Sequence, residues 1–221
     1  MKNIKNLFVG AIAVSLVACS SAPEETVETT EAQEVRTEVT NKTLELAAND
    51  AEIGWVGFKT YSGDKHNGTL DVTTGKVFVE GDKVVGGKFE IDMNTIVNLD
   101  VPEDKGNAKL VGHLSSADFF DVANHPTAMF EITEITMEDN AELGTNSVIA
   151  GNLTLRGEVK NISFPATVSV SGEMATIMAP EFSIDRKQWG VMFGSTGIEG
   201  LAKDKLIDDN ILLTLDVKAA M

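Results

Sequence analysis

Side chains able to do chemistry are few and scattered in this 221-residue chain. The one thiol, Cys19, directly follows Leu16-Val17-Ala18. His66, His113 and His125 show no His-x-x-x-His or Glu-x-x-His spacing, so no zinc or iron site is marked. No serine stands in a Gly-x-Ser-x-Gly elbow. The acidic pairs Asp208-Asp209 and Glu24-Glu25 read as solvent-facing charges. Gly194-Ser195-Thr196-Gly197 and Gly86-Gly87 do not lie between a strand and a helix, as a phosphate-cradling loop requires. The expectation is a protein that is not an enzyme, with no catalytic residue, no metal and no cofactor.

Cys19 carries a different chemistry. Lys2 and Lys5 form a positive start, residues 7–18 form a short apolar run, and small residues end it, which is the layout of a secretory signal. A run of about 12 is too short to span a hydrocarbon core, which needs ~20. A cysteine after Leu-Val-Ala resembles the bacterial lipobox, in which the chain is cut before the thiol and the thiol is acylated. Residues 1–18 are therefore expected to be a signal peptide and Cys19 the lipid attachment point. One acyl chain holds a protein only marginally, whereas two or more give stable anchoring; the lipoprotein resemblance implies three, palmitate among the acids of that kind. Ser20 stands where an aspartate would resemble the inner-membrane retention signal of enteric bacteria. The expected location is the cell envelope, at the outer membrane, on its periplasmic or surface face.

Charge narrows the partners. The chain carries −16, and removal of Lys2 and Lys5 with the signal leaves −18. Such a surface repels nucleic-acid phosphates and anionic lipid, so nucleic acid is excluded and membrane contact must come through the acylated Cys19. Residues 19–43 hold six glutamates (Glu24, Glu25, Glu28, Glu31, Glu34 and Glu38), no aromatic residue and no apolar period. They are expected to form a disordered tether reaching on the order of 25–30 Å.

Residues 44–221 read as one globular domain. Apolar and polar residues alternate through 89–93 and 128–132. Ile162, Phe164, Ala166, Val168 and Val170, and then Ile211, Leu213, Leu215 and Val217, repeat at every second position. That period predicts antiparallel strands burying one face. Asn67-Gly68, Thr74-Gly75, Glu80-Gly81-Asp82 and Gly86-Gly87 read as hairpin turns. Between Val97 and Phe120, Pro102 with Glu103 and Asp104 predicts a helix start, and Leu110, Val111 and Leu114 its apolar stripe. The expected architecture is all-β, about eight strands in a closed barrel with a short helical insertion.

Several segments in order resemble the YceI-like family of small bacterial periplasmic proteins. They are Lys65-His66-Asn67-Gly68; His113-Leu114-Ser115-Ser116-Ala117-Asp118-Phe119-Phe120-Asp121 leading to Pro126-Thr127-Ala128-Met129-Phe130; Gly151-Asn152-Leu153-Thr154-Leu155-Arg156-Gly157; and Phe182-Ser183-Ile184-Asp185-Arg186-Lys187-Gln188-Trp189-Gly190. The resemblance implies a lipocalin-like eight-stranded antiparallel barrel whose apolar interior binds an isoprenoid lipid, a quinone tail or a polyprenyl phosphate. Members of the family are mostly free in the periplasm; the lipobox of this chain favours a membrane-held carrier instead.

Residues expected to face such an interior are Phe89, Ile91, Met93, Phe130, Leu153, Leu155, Phe164, Met178, Phe182 and Ile184. Periodicity alone favours a dry core, which would make this a structural or stress-protective envelope lipoprotein with no lipid ligand. Arg186 and Trp189 stand in a turn ending a strand. They either close the barrel end, with Arg186 paired to Asp185, Asp121 or a carbonyl, or hold a head group, for which a guanidinium suits phosphate. His66, near a rim, is a further head-group candidate. Oligomeric state is not encoded in any of these patterns.

Overall fold

The computed structural model describes residues 26–35 and 42–220, with backbone alone for 47–50. Cys19 and the expected signal peptide, residues 1–18, lie outside the described residues. Among the described residues nine strands form one antiparallel sheet: β1 (Thr29–Glu31), β2 (Lys42–Lys59), β3 (Lys65–Glu80), β4 (Lys83–Asn98), β5 (Thr127–Asn140), β6 (Thr145–Leu155), β7 (Glu158–Ser171), β8 (Met174–Asp185) and β9 (Ile207–Ala220). Their order is β1-β7-β6-β5-β4-β3-β2-β9-β8, and β7 also pairs with β8. That last pairing closes β2 to β9 into an eight-stranded barrel with β1 added at its seam. Every run of alternating residues lies in a strand. Phe89, Ile91 and Met93 of β4 are buried between exposed or half-buried polar neighbours, and Ala128, Phe130 and Ile132 of β5 are buried at the same period of two.

The insertion between β4 and β5 starts differently from the expected helix. Pro102 opens a 3-10 turn, Glu103–Lys105; Gly106 then takes φ 105° and restarts the chain as α1, Asn107–Ser115. A left-handed residue cannot continue a right-handed helix, so the glycine divides the two. Asn107 ties the restart to the end of β4, its side-chain amide donating to the carbonyls of Asn98 (2.9 Å) and Val101 (2.7 Å). Val111 and Leu114 pack on the core from above.

Of the four expected hairpin turns, Glu80-Gly81-Asp82 is one, with Gly81 at φ 64°. Asn67-Gly68, Thr74-Gly75 and Gly86-Gly87 lie inside strands instead. There they make room for rings. A Cβ on Gly68 would collide with the Val97 carbonyl oxygen and the Trp55 indole, and one on Gly75 or Gly87 would press on Phe89. Gly151 stands in the same relation to Phe130.

The expected tether is also corrected in part. Residues 26–35 lie along the barrel, and β2 begins at Lys42 within the segment expected to be disordered. Composition argues against burial of this stretch, but a strand needs only a partner edge for its backbone, and β7 offers one.

The glycine placements predict a paired result. Gly68→Ala forces a Cβ into backbone and indole and lowers stability by ~1–3 kcal/mol or more. Gly57→Ala, where a Cβ meets nothing within 4 Å, leaves stability unchanged or slightly raised. Urea unfolding of both variants measures the difference.

Candidate functional site

The barrel encloses an apolar cavity in two lobes. The larger, about 300 Å³, opens at the end carrying α1 and the β2–β3 hairpin. The smaller, about 60 Å³, lies deeper. Ile53, Ile91, Leu153 and Leu213 line both and form the waist between them. The polar groups of the large lobe are Lys59, Asp64, His66, His113, Arg186 and Asp208; the rest of its wall is aliphatic or aromatic. Three of the rings on its wall lie against glycines: Trp55 against Gly68, Phe89 against Gly75 and Gly87, and Phe130 against Gly151. A ring over a glycine occupies the space a neighbouring side chain would otherwise fill, so the centre is left unpacked.

Nine of the ten expected interior residues line these lobes. Ile91, Met93, Leu153, Leu155 and Ile184 border the large lobe, while Phe89, Phe130, Phe164 and Phe182 border the small one with Ile91 and Leu153 again. Met178 does not: it is 45% exposed on the outer face of β8. Ala175, Ile177 and Ala179 point inward, then the register against β9 shifts between Ala179 and Phe182. A one-residue shift exchanges the two faces of a strand, so the parity shared by 178, 182 and 184 in the sequence is not shared in space.

The three head-group candidates have distinct positions. His66 lines the mouth, and its Nδ1 lies 2.8 Å from Asp100 Oδ2. Burial pushes the Asp100 carboxyl up, but the Asn67 N–H and the side chains of His66 and Asn98 outweigh it and hold it below the usual carboxylate range. Arg186 also borders the large lobe, yet its donors turn into the protein. Nε donates to the Asp208 carbonyl (3.0 Å), Nη1 to Val191 (2.8 Å), and Nη2 to Ile207 (3.3 Å) and Asp209 Oδ1 (3.4 Å). Four of its five N–H groups are thereby engaged. Trp189 is fully buried, borders neither lobe, and donates from Nε1 to the Leu153 carbonyl (3.0 Å). Arg186 and Trp189 together brace the barrel end, the first tying β9 to the loop after Trp189 and the second fixing β6.

The wall also holds residues outside the ten. Leu110 and Leu114 of α1, with Phe119 and Phe120 just after it, roof the large lobe. The signal was present in the apolar stripe of the helix, but nothing in a stripe says what it faces. Trp55 and Ile53 alternate on β2 and were equally readable. Arg156, at φ 50°, staples the roof by donating to the carbonyls of Gly190 (2.6 Å) and Ala117 (2.9 Å). Among the described residues no group of three or more His, Cys, Asp or Glu side chains is placed to hold a metal ion.

A closed eight-stranded antiparallel barrel with one short helix and an apolar lumen defines a small lipocalin-like barrel protein. The chain belongs to the YceI-like family: the YceI-like domain matches residues 32–219. It is 33% identical over 112 residues to a UPF0312 protein of Pseudomonas aeruginosa, covering 51% of this chain and 48% of that one. A UPF0312 protein of Azotobacter vinelandii is 30% identical over 146 residues, with 65% and 62% covered. The chain thus spans about half the length of the Pseudomonas relative. Its fold is shared with BcnA of Burkholderia cenocepacia (TM-score 0.57, 18% identity, 79% of this chain and 99% of that one). It is shared equally with a polyisoprenoid binding domain from Saccharophagus degradans implicated in plant cell wall breakdown (TM-score 0.58, 17% identity, 81% and 99%).

The brace predicts a pH dependence. Burial pushes Asp209 up, but bonds from Thr196, Ser195 and Lys187 hold it below the usual range. A carboxyl lowered by folding stabilises the protein above its unfolded value, near 3.9, and that stability is lost as pH falls through the folded value. Asp209→Asn removes this contribution and takes from the buried Arg186 its one directly bonded carboxylate, costing about 3–5 kcal/mol at neutral pH. Urea midpoints measured from pH 7 down to acid pH should fall more steeply for the wild type than for the variant.

Proposed function

We propose that this chain is an envelope lipoprotein whose barrel binds or carries a polyisoprenoid lipid, of quinone or polyprenyl-phosphate type, and that it is not an enzyme. The two-lobed apolar cavity carries this reading. A prenyl chain exposed to water costs about 0.8 kcal/mol per CH₂ equivalent, so a long tail needs a continuous apolar lining to leave a membrane. The lumen supplies such a lining from the mouth through the waist to the deep lobe. A polar mouth above an apolar shaft matches a lipid with a polar head and a hydrocarbon tail. The Saccharophagus domain of the same fold, named for polyisoprenoid binding, supports the ligand class. The inward Phe, Leu, Ile and Met residues contact the tail in this reading, and His66 is the candidate for the head group. The engaged guanidinium of Arg186 favours a positioning role over direct contact.

Membrane attachment in this proposal runs through acylated Cys19, with the domain held at the outer membrane. Six residues, 20–25, separate Cys19 from Thr26, where the described chain starts along the barrel. Seven Cα steps span at most about 25 Å. The barrel wall beside β1 would therefore stay near the bilayer rather than wander on a 24-residue leash.

Two measurements test the proposal. Native mass spectrometry of gently purified protein should show one added mass matching a polyprenyl lipid. Leu153→Trp, at the waist, should abolish that mass with the fold largely kept; a loss of ~1–3 kcal/mol with no lipid in either protein would point to a dry core instead. Separately, Cys19→Ser should move the protein from the outer-membrane fraction to the soluble fraction. Retention of the variant on the membrane, or a wild type that takes up no labelled palmitate, would remove the anchor.

A further inference from the structure

The barrel wall has a slot. β7 and β8 pair from Thr167 opposite Met178 to Ser171 opposite Met174 and no further. In that register Pro165 falls opposite Pro180, and neither has an N–H to give a ladder. Beyond them the two strands part. The gap is filled by residues 27–33, which include β1. Thr29, Thr30 and Glu31 pair with Ile162, Asn161 and Lys160 of β7, and the Val27 N–H donates to the Ser183 carbonyl of β8 (2.8 Å).

The site for this strap is built. Asn152 accepts from the Gln33 N–H (2.9 Å) and donates to the Gln33 carbonyl (2.7 Å), so that one side chain holds both backbone groups of that residue. Asn161 orients it, donating to Asn152 Oδ1 (3.0 Å) and to Thr133 Oγ1 (3.0 Å). Both asparagines are buried. Lys160 adds an ion pair to Glu31 at 2.7 Å. On the inner side of the slot, Phe164 and Phe182 stack with centroids 4.4 Å apart and planes within 6°, and both line the deep lobe.

We propose that the slot between β7 and β8 is a lateral port to the cavity for an elongated apolar chain, closed by residues 27–33 as a displaceable shutter. The proposal rests on the lipid-binding reading. The strap is held by a three-residue ladder and a few flanking bonds, and its side chains are mostly exposed, so it belongs among the segments that open locally at the least cost. It can leave without breaking any pairing among β2 to β9. The lobes, at about 300 and 60 Å³, stand at the low end of small-molecule sites, ~300–1,000 Å³, so a long chain overruns them. The slot is where the deep lobe meets a wall that is not a continuous ladder. Parting of one stacked ring pair then joins lumen and exterior.

All-trans-retinol, an isoprenoid whose fluorescence rises in an apolar site, is the probe. Full-length chain carrying Cys19→Ser with Glu31→Cys and Lys160→Cys places a disulfide across a facing pair of β1 and β7. Oxidation should slow retinol uptake, and its release to phosphatidylcholine vesicles, at least tenfold, with equilibrium affinity within twofold; reduction should restore both rates. Asn152→Ala should speed both in the absence of any disulfide, and it carries the test if the double cysteine chain does not fold. Retinol binding with rates unaffected by lock and variant would overturn the port alone. No retinol bound by any form would overturn the lipid-binding reading and the port with it.

Discussion

Two prolines facing each other across the closing seam set the terms for this barrel. A sheet rolled into a barrel loses its exposed edges only where its last strands can pair. Pro165 and Pro180 end that pairing after five residue pairs, and three other features follow. The freed edge of β7 accepts β1, and Val27 just before it bonds to β8, which satisfies backbone groups that would otherwise lie unpaired. β8 slips its register against β9 at the same place, turning Phe182 and Ile184 inward where Met178 had pointed out. Phe182 then reaches Phe164 and bridges the gap from inside with a ring stack.

At the opposite edge of β8 the constraint is electrostatic. Arg186 is buried, and a buried guanidinium is tolerated only when its donors are met. Burial pulls its pKa below the ordinary arginine value, against the pull of Asp209, Asp185 and Asp208. Three backbone carbonyls and Asp209 meet the donors, and Lys187 joins Asp209 at 3.0 Å. The long loop between Trp189 and β9 is thereby fixed beside the mouth. Phe193 of that loop packs edge-on against His113, which packs in the same way on Phe119. Loop, helix and barrel end form one roofed mouth, held by a charge that does not need to touch a ligand.

An open lumen in so small a barrel needs an explanation as well. Eight strands leave just enough room for side chains to fill the interior or for one slender ligand. Trp55, Phe89 and Phe130 are large enough to fill it, but each lies against a glycine of a neighbouring strand. The aromatic mass is spent lining the wall. Ile53, Ile91, Leu153 and Leu213 narrow the lumen to a waist without closing it.

Much of this was legible in the chain. Period-2 alternation determines strands with one apolar face, because a pleat sends successive side chains to opposite sides; nine of ten interior residues follow from it. The scatter of the histidines and the absence of nucleophile motifs are likewise properties of order along the chain. Met178 faces outward against its sequence parity because parity carries along a strand only while its register holds, and register is a relation to β9. Gly68, Gly75 and Gly87 suggest turns in the sequence because a glycine permits a turn and a close approach alike; only the ring packed over it tells which. Residues 27–33 have no pattern of their own, and their order comes from an edge left free more than a hundred residues later. Arg186 kept two readings open in the sequence, since a guanidinium suits a phosphate and a carbonyl equally. Composition and periodicity determine what each segment can do alone, whereas register, ring placement and edge pairing are decided by which strand lies beside it, and those neighbours exist only once the barrel has closed.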